Sequence, residues 1–116
     1  MMYTAYGLAI HSDFELPELS SAPPGATADL RILLDDQVPE ALDGAVQAGL
    51  YAQAKDGDLL LTVPEVACIW VKAGREIRVR AMPGADAESV RLFVLGSGLG
   101  AALMQRGFLV IHGNAI

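Results

Sequence analysis

Between Leu92 and Met104 the chain carries no charged side chain, and the apolar residues fall on every side of a helix rather than along one stripe. Asp86 and Glu88 stand where carboxylates favour a helix start, and Gln105, Arg106 and Gly107 stand where helices end. The pattern predicts one helix over 86–106. The uncharged run falls short of the roughly 20 residues that a bilayer crossing needs, so it reads as a core helix. A helix that is apolar all round has to be covered from more than one side. That demand constrains everything else the chain can do.

The helix interior also holds Gly96, Gly98 and Gly100, each costing about 1 kcal/mol relative to alanine. "FVLGSGLGAAL" has the look of a dinucleotide fingerprint, a strand followed by Gly96-x-Gly98-x-x-Ala101 and a helix. That reading requires an acidic residue about 20 positions on, and no acid follows Glu88. The carboxylates at 86 and 88 also start the helix before the glycines. The better reading is an interface, with Gly96, Gly98, Gly100 and Ala101 letting another backbone pack close.

"FLVIHGNAI" follows Gly107. Phe108, Val110, His112, Asn114 and Ile116 alternate with Leu109, Ile111, Gly113 and Ala115. Both faces are largely apolar through Ile111, which predicts an interior strand over 108–112. His112 breaks the run. A histidine at a strand end is usually a hydrogen-bonded structural residue; its near-neutral pKa suits proton transfer, but nothing in the sequence pairs with it.

The 116 residues, 53% hydrophobic, suffice for one compact domain over 1–116 and not two. A formal net charge of −6 argues against nucleic acid and against an anionic membrane surface. The single cysteine, Cys68, lies in an apolar run and reads as a buried thiol. No charged segment followed by an apolar one opens the chain, and the expected location is cytoplasmic.

Met2–Ile10 alternates loosely as one early strand, and Pro17 ends the polar stretch after it. His11, Asp13, Glu15 and Glu18 lack metal-site spacing and read as an exposed turn. "SSAPPGATA" is a flexible connection, and "DLRILLDD" is a second strand with Leu30, Ile32 and Leu34 on one face. Beyond Pro39 only a poor helical turn is expected, since Gly44 interrupts it. Asp56-Gly57 and Ala73-Gly74 each separate two apolar stretches as hairpin turns do. They predict a four-stranded antiparallel meander over about 50–82, with Arg78 and Arg80 on a solvated outer face. The fold class is therefore α+β: an antiparallel meander packed on one long apolar helix, followed by a terminal strand. One modest sheet leaves the far side of that helix bare, so a second copy or another protein body is expected there.

Three stretches together, "YGLAIHSDFELPEL", the strand-rich middle and "LFVLGSGLGAALMQRGFLVIHGNAI", resemble the N-terminal region of proteins related to HPr kinase/phosphorylase, including relatives in bacterial peptide-modification clusters. In that family a helix ending in a "QRG"-like turn runs into a strand bearing His-Gly or His-Ala, and a P-loop follows. The resemblance implies an ATP- and magnesium-dependent serine kinase acting on a protein or peptide in the full-length family. By resemblance His112 matches the histidine beside the nucleotide phosphates. The departure is large: the sequence contains no Gly-Lys-Ser or Gly-Lys-Thr, and hence no phosphate cradle or phosphate-pairing lysine. The expectation is a structural or substrate-docking domain that binds no cofactor and is inactive alone. The alternative is a small non-catalytic module that assembles with itself.

Overall fold

The computed structural model describes residues 1–47 and 51–107. The chain is α+β: among the described residues, a mostly antiparallel nine-stranded sheet has one long helix against it. The strands are β1 (Met2–Ala5), β2 (Leu8–Ser12), β3 (Ser20–Ser21), β4 (Leu30–Leu34), β5 (Val46–Gln47), β6 (Ala52–Lys55), β7 (Asp58–Val63), β8 (Ala67–Lys72) and β9 (Glu76–Ala81). Their spatial order is β3-β1-β2-β4-β9-β8-β7-β6-β5. The predicted meander is β6 to β9, hinged at Asp56-Gly57 and Ala73-Gly74 as expected; the terminal strand over 108–112, with His112, lies outside the described residues.

The strands depart from the sequence reading in three ways. The stretch expected as one strand over Met2–Ile10 is a hairpin, because Tyr6 and Gly7 both adopt the left-handed conformation, at φ 55° and 75°. That pair closes a tight turn whose twist suits a hairpin. The sheet is also mixed: β4 runs parallel to both β2 and β9, pairing Ile32 with Ser12 on one side and with Ile77 on the other. Leu34, expected on the apolar face of β4, ends that strand exposed.

Alternation along the strands builds two apolar layers. Leu30, Ile32, Ala67, Ile69, Val71, Ile77 and Val79 point to one face and are buried against Val90, Val94, Leu99 and Ala102 of the helix. On the opposite face Leu60 and Cys68 are buried with Val38, and Leu42, Trp70 and Met82 pack around them. The cover there is the irregular segment 36–45, where no helical turn forms after Pro39.

This second layer corrects the reading of the arginines. Arg78 and Arg80 do not simply face solvent. The Arg78 guanidinium donates to Asp35 Oδ2 at 2.8 Å and to Glu76 Oε1 at 2.8 Å, while Arg80 Nε donates to the Val38 carbonyl at 2.8 Å and its Nη2 lies 3.2 Å from Cys68 Sγ. The backbone N–H of Gln37 and then Arg78 hold the Asp35 carboxyl below its ordinary value. Cys68 is buried, as its apolar surroundings imply.

Candidate functional site

The helix occupies Ala87–Gln105. Asp86 caps it, its carboxylate accepting from the Ser89 N–H at 3.2 Å, and the chain leaves it through Gly107 at φ 87°. Both ends lie where the charges and the glycine placed them. The helix is not uniform. Ala87–Phe93 and Leu99–Gln105 are α-helical, but Val94–Gly98 is a π-helical turn in which the Leu99 N–H reaches the Val94 carbonyl five residues back. The wider turn adds a residue, so Gly98 and Leu99 are both buried toward the sheet, in line with Val90, Val94 and Ala102.

One side of the helix is thereby committed to the sheet and the other is bare. Leu92, Phe93 and Met104 are 53%, 39% and 55% exposed. The sheet thus covers one side of the helix only, as expected of a single modest sheet. At 19 residues the helix is long and apolar enough to cross a membrane by length and composition alone. Its packed inner face marks it as part of this fold.

Beside the bare face lies a groove of about 440 Å³ between the helix and the β6–β7 hairpin, lined chiefly by Ala54, Leu59 and Leu61 on the sheet and Gly96, Gly100 and Met104 on the helix. The glycines expected at an interface now separate. A Cβ placed on Gly96 or Gly100 meets nothing within 4 Å, so these two leave open space on the outer side. Gly98 looks inward, and a Cβ there would sit 3.5 Å from Cγ2 of both Ile69 and Ile77. Its close packing partner is the chain's own sheet. Ala101 is partly buried, packing on the core and bordering the groove.

The helix end is fastened. Gln105 Oε1 accepts from the Gly74 N–H at 2.5 Å, Gln105 Nε2 donates to the Val71 carbonyl at 3.1 Å, and Arg106 Nη1 donates to the Gly74 carbonyl at 2.8 Å. The Gln-Arg-Gly run thus ties the helix C-terminus to the β8–β9 turn, a role that its position at the end of an apolar run did not announce.

The acidic stretch after β2 is divided between separate structural tasks. His11 Nε2 lies 3.2 Å from Asp13 Oδ1, Asp13 Oδ2 accepts from the Leu34 N–H at 2.9 Å, and Glu18 accepts from Arg91 Nε at 3.0 Å. The last contact ties the loop to the helix. The Leu34 N–H, and after it His11, hold the Asp13 carboxyl below its ordinary value against some loss of water. A depressed folded pKa contributes stability that is complete above the unfolded value of about 4 and is lost as pH falls through the folded value. Urea midpoints measured from about pH 6 down to about pH 3 should therefore fall more steeply for the wild type than for Asp13→Asn, which keeps an acceptor for Leu34 but carries no charge.

The residues present do not fit the nucleotide that the kinase resemblance implies, since no Gly-Lys-Ser or Gly-Lys-Thr exists to cradle phosphate. No protein-family model matches the chain, and no curated protein or solved structure matches it either.

Proposed function

We propose that this chain is a non-catalytic docking domain whose working surface is the outer face of its helix. The observation that carries the reading is the exposure of Leu92, Phe93 and Met104 beside a groove floored by Gly96 and Gly100. Large apolar side chains grouped on one face, next to a concavity, mark interaction surfaces. The space where a Cβ of Gly96 or Gly100 would stand has no other atom within 4 Å, which lets a partner approach the helix backbone closely. The HPr-kinase resemblance supplies the occupant, the P-loop core of a bacterial serine kinase acting on a protein or peptide, with ATP and magnesium held by that core. By that resemblance His112 would then act only once such a core stands beside it. For the chain by itself the same face is available to a second copy.

Two measurements test this. Incubated with ATP and magnesium, the purified chain is expected to release phosphate no faster than buffer; turnover that His112→Ala abolishes would replace docking by catalysis. Reading the coding sequence beyond Ile116 tests the occupant. A G-x-x-x-x-G-K-[ST] motif within about 20 codons supports the kinase core, and a stop codon there leaves self-assembly as the use of the face.

A further inference from the structure

The segment 36–45 covers the second apolar layer, yet its hold on the sheet is slight. Among the described residues, no backbone–backbone hydrogen bond joins it directly to a strand; its one internal bond is Ala45 N–H to the Leu42 carbonyl at 3.2 Å. At its root the Val38 N–H reaches the carbonyl of Asp35 at 3.3 Å, a residue fixed by its own N–H on the Val79 carbonyl at 2.9 Å. The ties to the sheet are side-chain bonds: Arg80 to the Val38 carbonyl, Gln53, and, at the segment's root, the Asp35 carboxylate, which Arg78 holds at 2.8 Å and which accepts from the Gln37 N–H at 2.8 Å. The Gln53 amide accepts from the Leu42 N–H at 3.0 Å and donates to the Glu40 carbonyl at 3.4 Å. Val38 is its one fully buried side chain. Segments with few buried apolar contacts and few ladder bonds open at a free energy well below that of the whole fold.

What lies beneath is unlike a solvated surface. Leu60 and Cys68 are buried, Trp70 and Met82 pack with them, and the Trp70 Nε1–H is buried with no partner among the described residues. We propose that 36–45 is a latch that swings off the sheet as a unit while sheet and helix stay folded, with the Arg78–Asp35 pair and the Gln53 bonds setting how often it does. Opening uncovers a second apolar face on the side of the sheet opposite the helix. It also gives the chain's one cysteine its route to solvent.

Alkylation of Cys68 by iodoacetamide reads the opening directly on the full chain. The labelling rate of the wild type should rise with urea less steeply than global unfolding does, because opening the latch exposes only part of the surface. Arg78→Gln and Gln53→Ala, neither of which touches the sulfur, should each speed labelling by about fivefold, the effect of losing a weak surface interaction. Val94→Ala weakens the helix side of the core, so it should lower the urea midpoint and leave labelling at low urea unchanged. The latch is overturned if Val94→Ala speeds labelling in step with its loss of global stability, or if neither Arg78→Gln nor Gln53→Ala changes the rate. Gln53→Ala carries the test alone should the arginine variant fail to fold.

Discussion

Gly74→Ala is expected to lower the unfolding free energy by about 2–4 kcal/mol, far more than the same change at other turn glycines. Gly74 sits at φ 66° in the β8–β9 turn, and a Cβ there would meet Arg106 Cγ at 2.6 Å and the Ala102 carbonyl oxygen at 3.2 Å. The arginine stem can swing aside, but the helix backbone cannot. Relief of the clash therefore pulls on the three bonds by which Gln105 and Arg106 hold the helix end. Gly7→Ala is the control. Gly7 has φ 75° with nothing within 4 Å of a Cβ, so it should show only the backbone penalty, about 1 kcal/mol. Gln105→Ala, which loses two bonds without strain, should fall between them at about 1–2 kcal/mol. Denaturant midpoints measure all three; equal losses at Gly74 and Gly7 would show that the helix end is not fastened there.

That fastening shows where sequence reading succeeds and where it stops. Turns and caps are local devices, and they were legible: Asp56-Gly57, Ala73-Gly74, Asp86 and Gly107 each act within a few residues of themselves. The Tyr6-Gly7 turn was not, because a tyrosine in the left-handed region carries no propensity signal and the flanking residues continue the strand pattern. Insertion of β4 between β2 and β9 was invisible for another reason. Parallel pairing joins strands far apart in sequence, and nothing within β4 names its neighbours. The arginines of β9 failed in the same way. An Ile-Arg-Val-Arg alternation is what a solvated face looks like, and only the chain leaving β4 turns these arginines into anchors, through Asp35 for Arg78 and through Val38 of 36–45 for Arg80. As for the candidate site, the sequence showed a helix too apolar for one sheet to cover. It did not show which side the sheet takes. The π-turn at Val94–Gly98 decides that, turning Gly98 inward and leaving Gly96 and Gly100 out.

The division among the glycines sharpens the last expectation, that the chain self-associates in solution through the outer helix face. Fully burying a large apolar side chain is worth about 1.5–3 kcal/mol. Leu92, Phe93 and Met104, all substantially exposed, thus offer a second copy several kcal/mol before the groove is filled. Sedimentation at micromolar concentration should show a dimer or larger assembly, and a clean monomer near 12.2 kDa would sink the idea. Leu92→Lys combined with Met104→Lys should weaken association about 100-fold or more, two lost burials at about 1.4 kcal/mol per tenfold. Their side chains already face solvent, so the fold should keep its urea midpoint. Gly96→Leu and Gly98→Leu then separate the two sides of the helix. The first projects into the open groove and should impair assembly while leaving the monomer as stable as before, or more so by up to about 1 kcal/mol of helix propensity. The second drives a side chain against Ile69 and Ile77 and should cost the monomer about 1–3 kcal/mol through overpacking. If Gly98→Leu instead disrupted assembly and spared the monomer, the inward face of the helix would have to be the docking surface, and the packing of helix on sheet would be wrong.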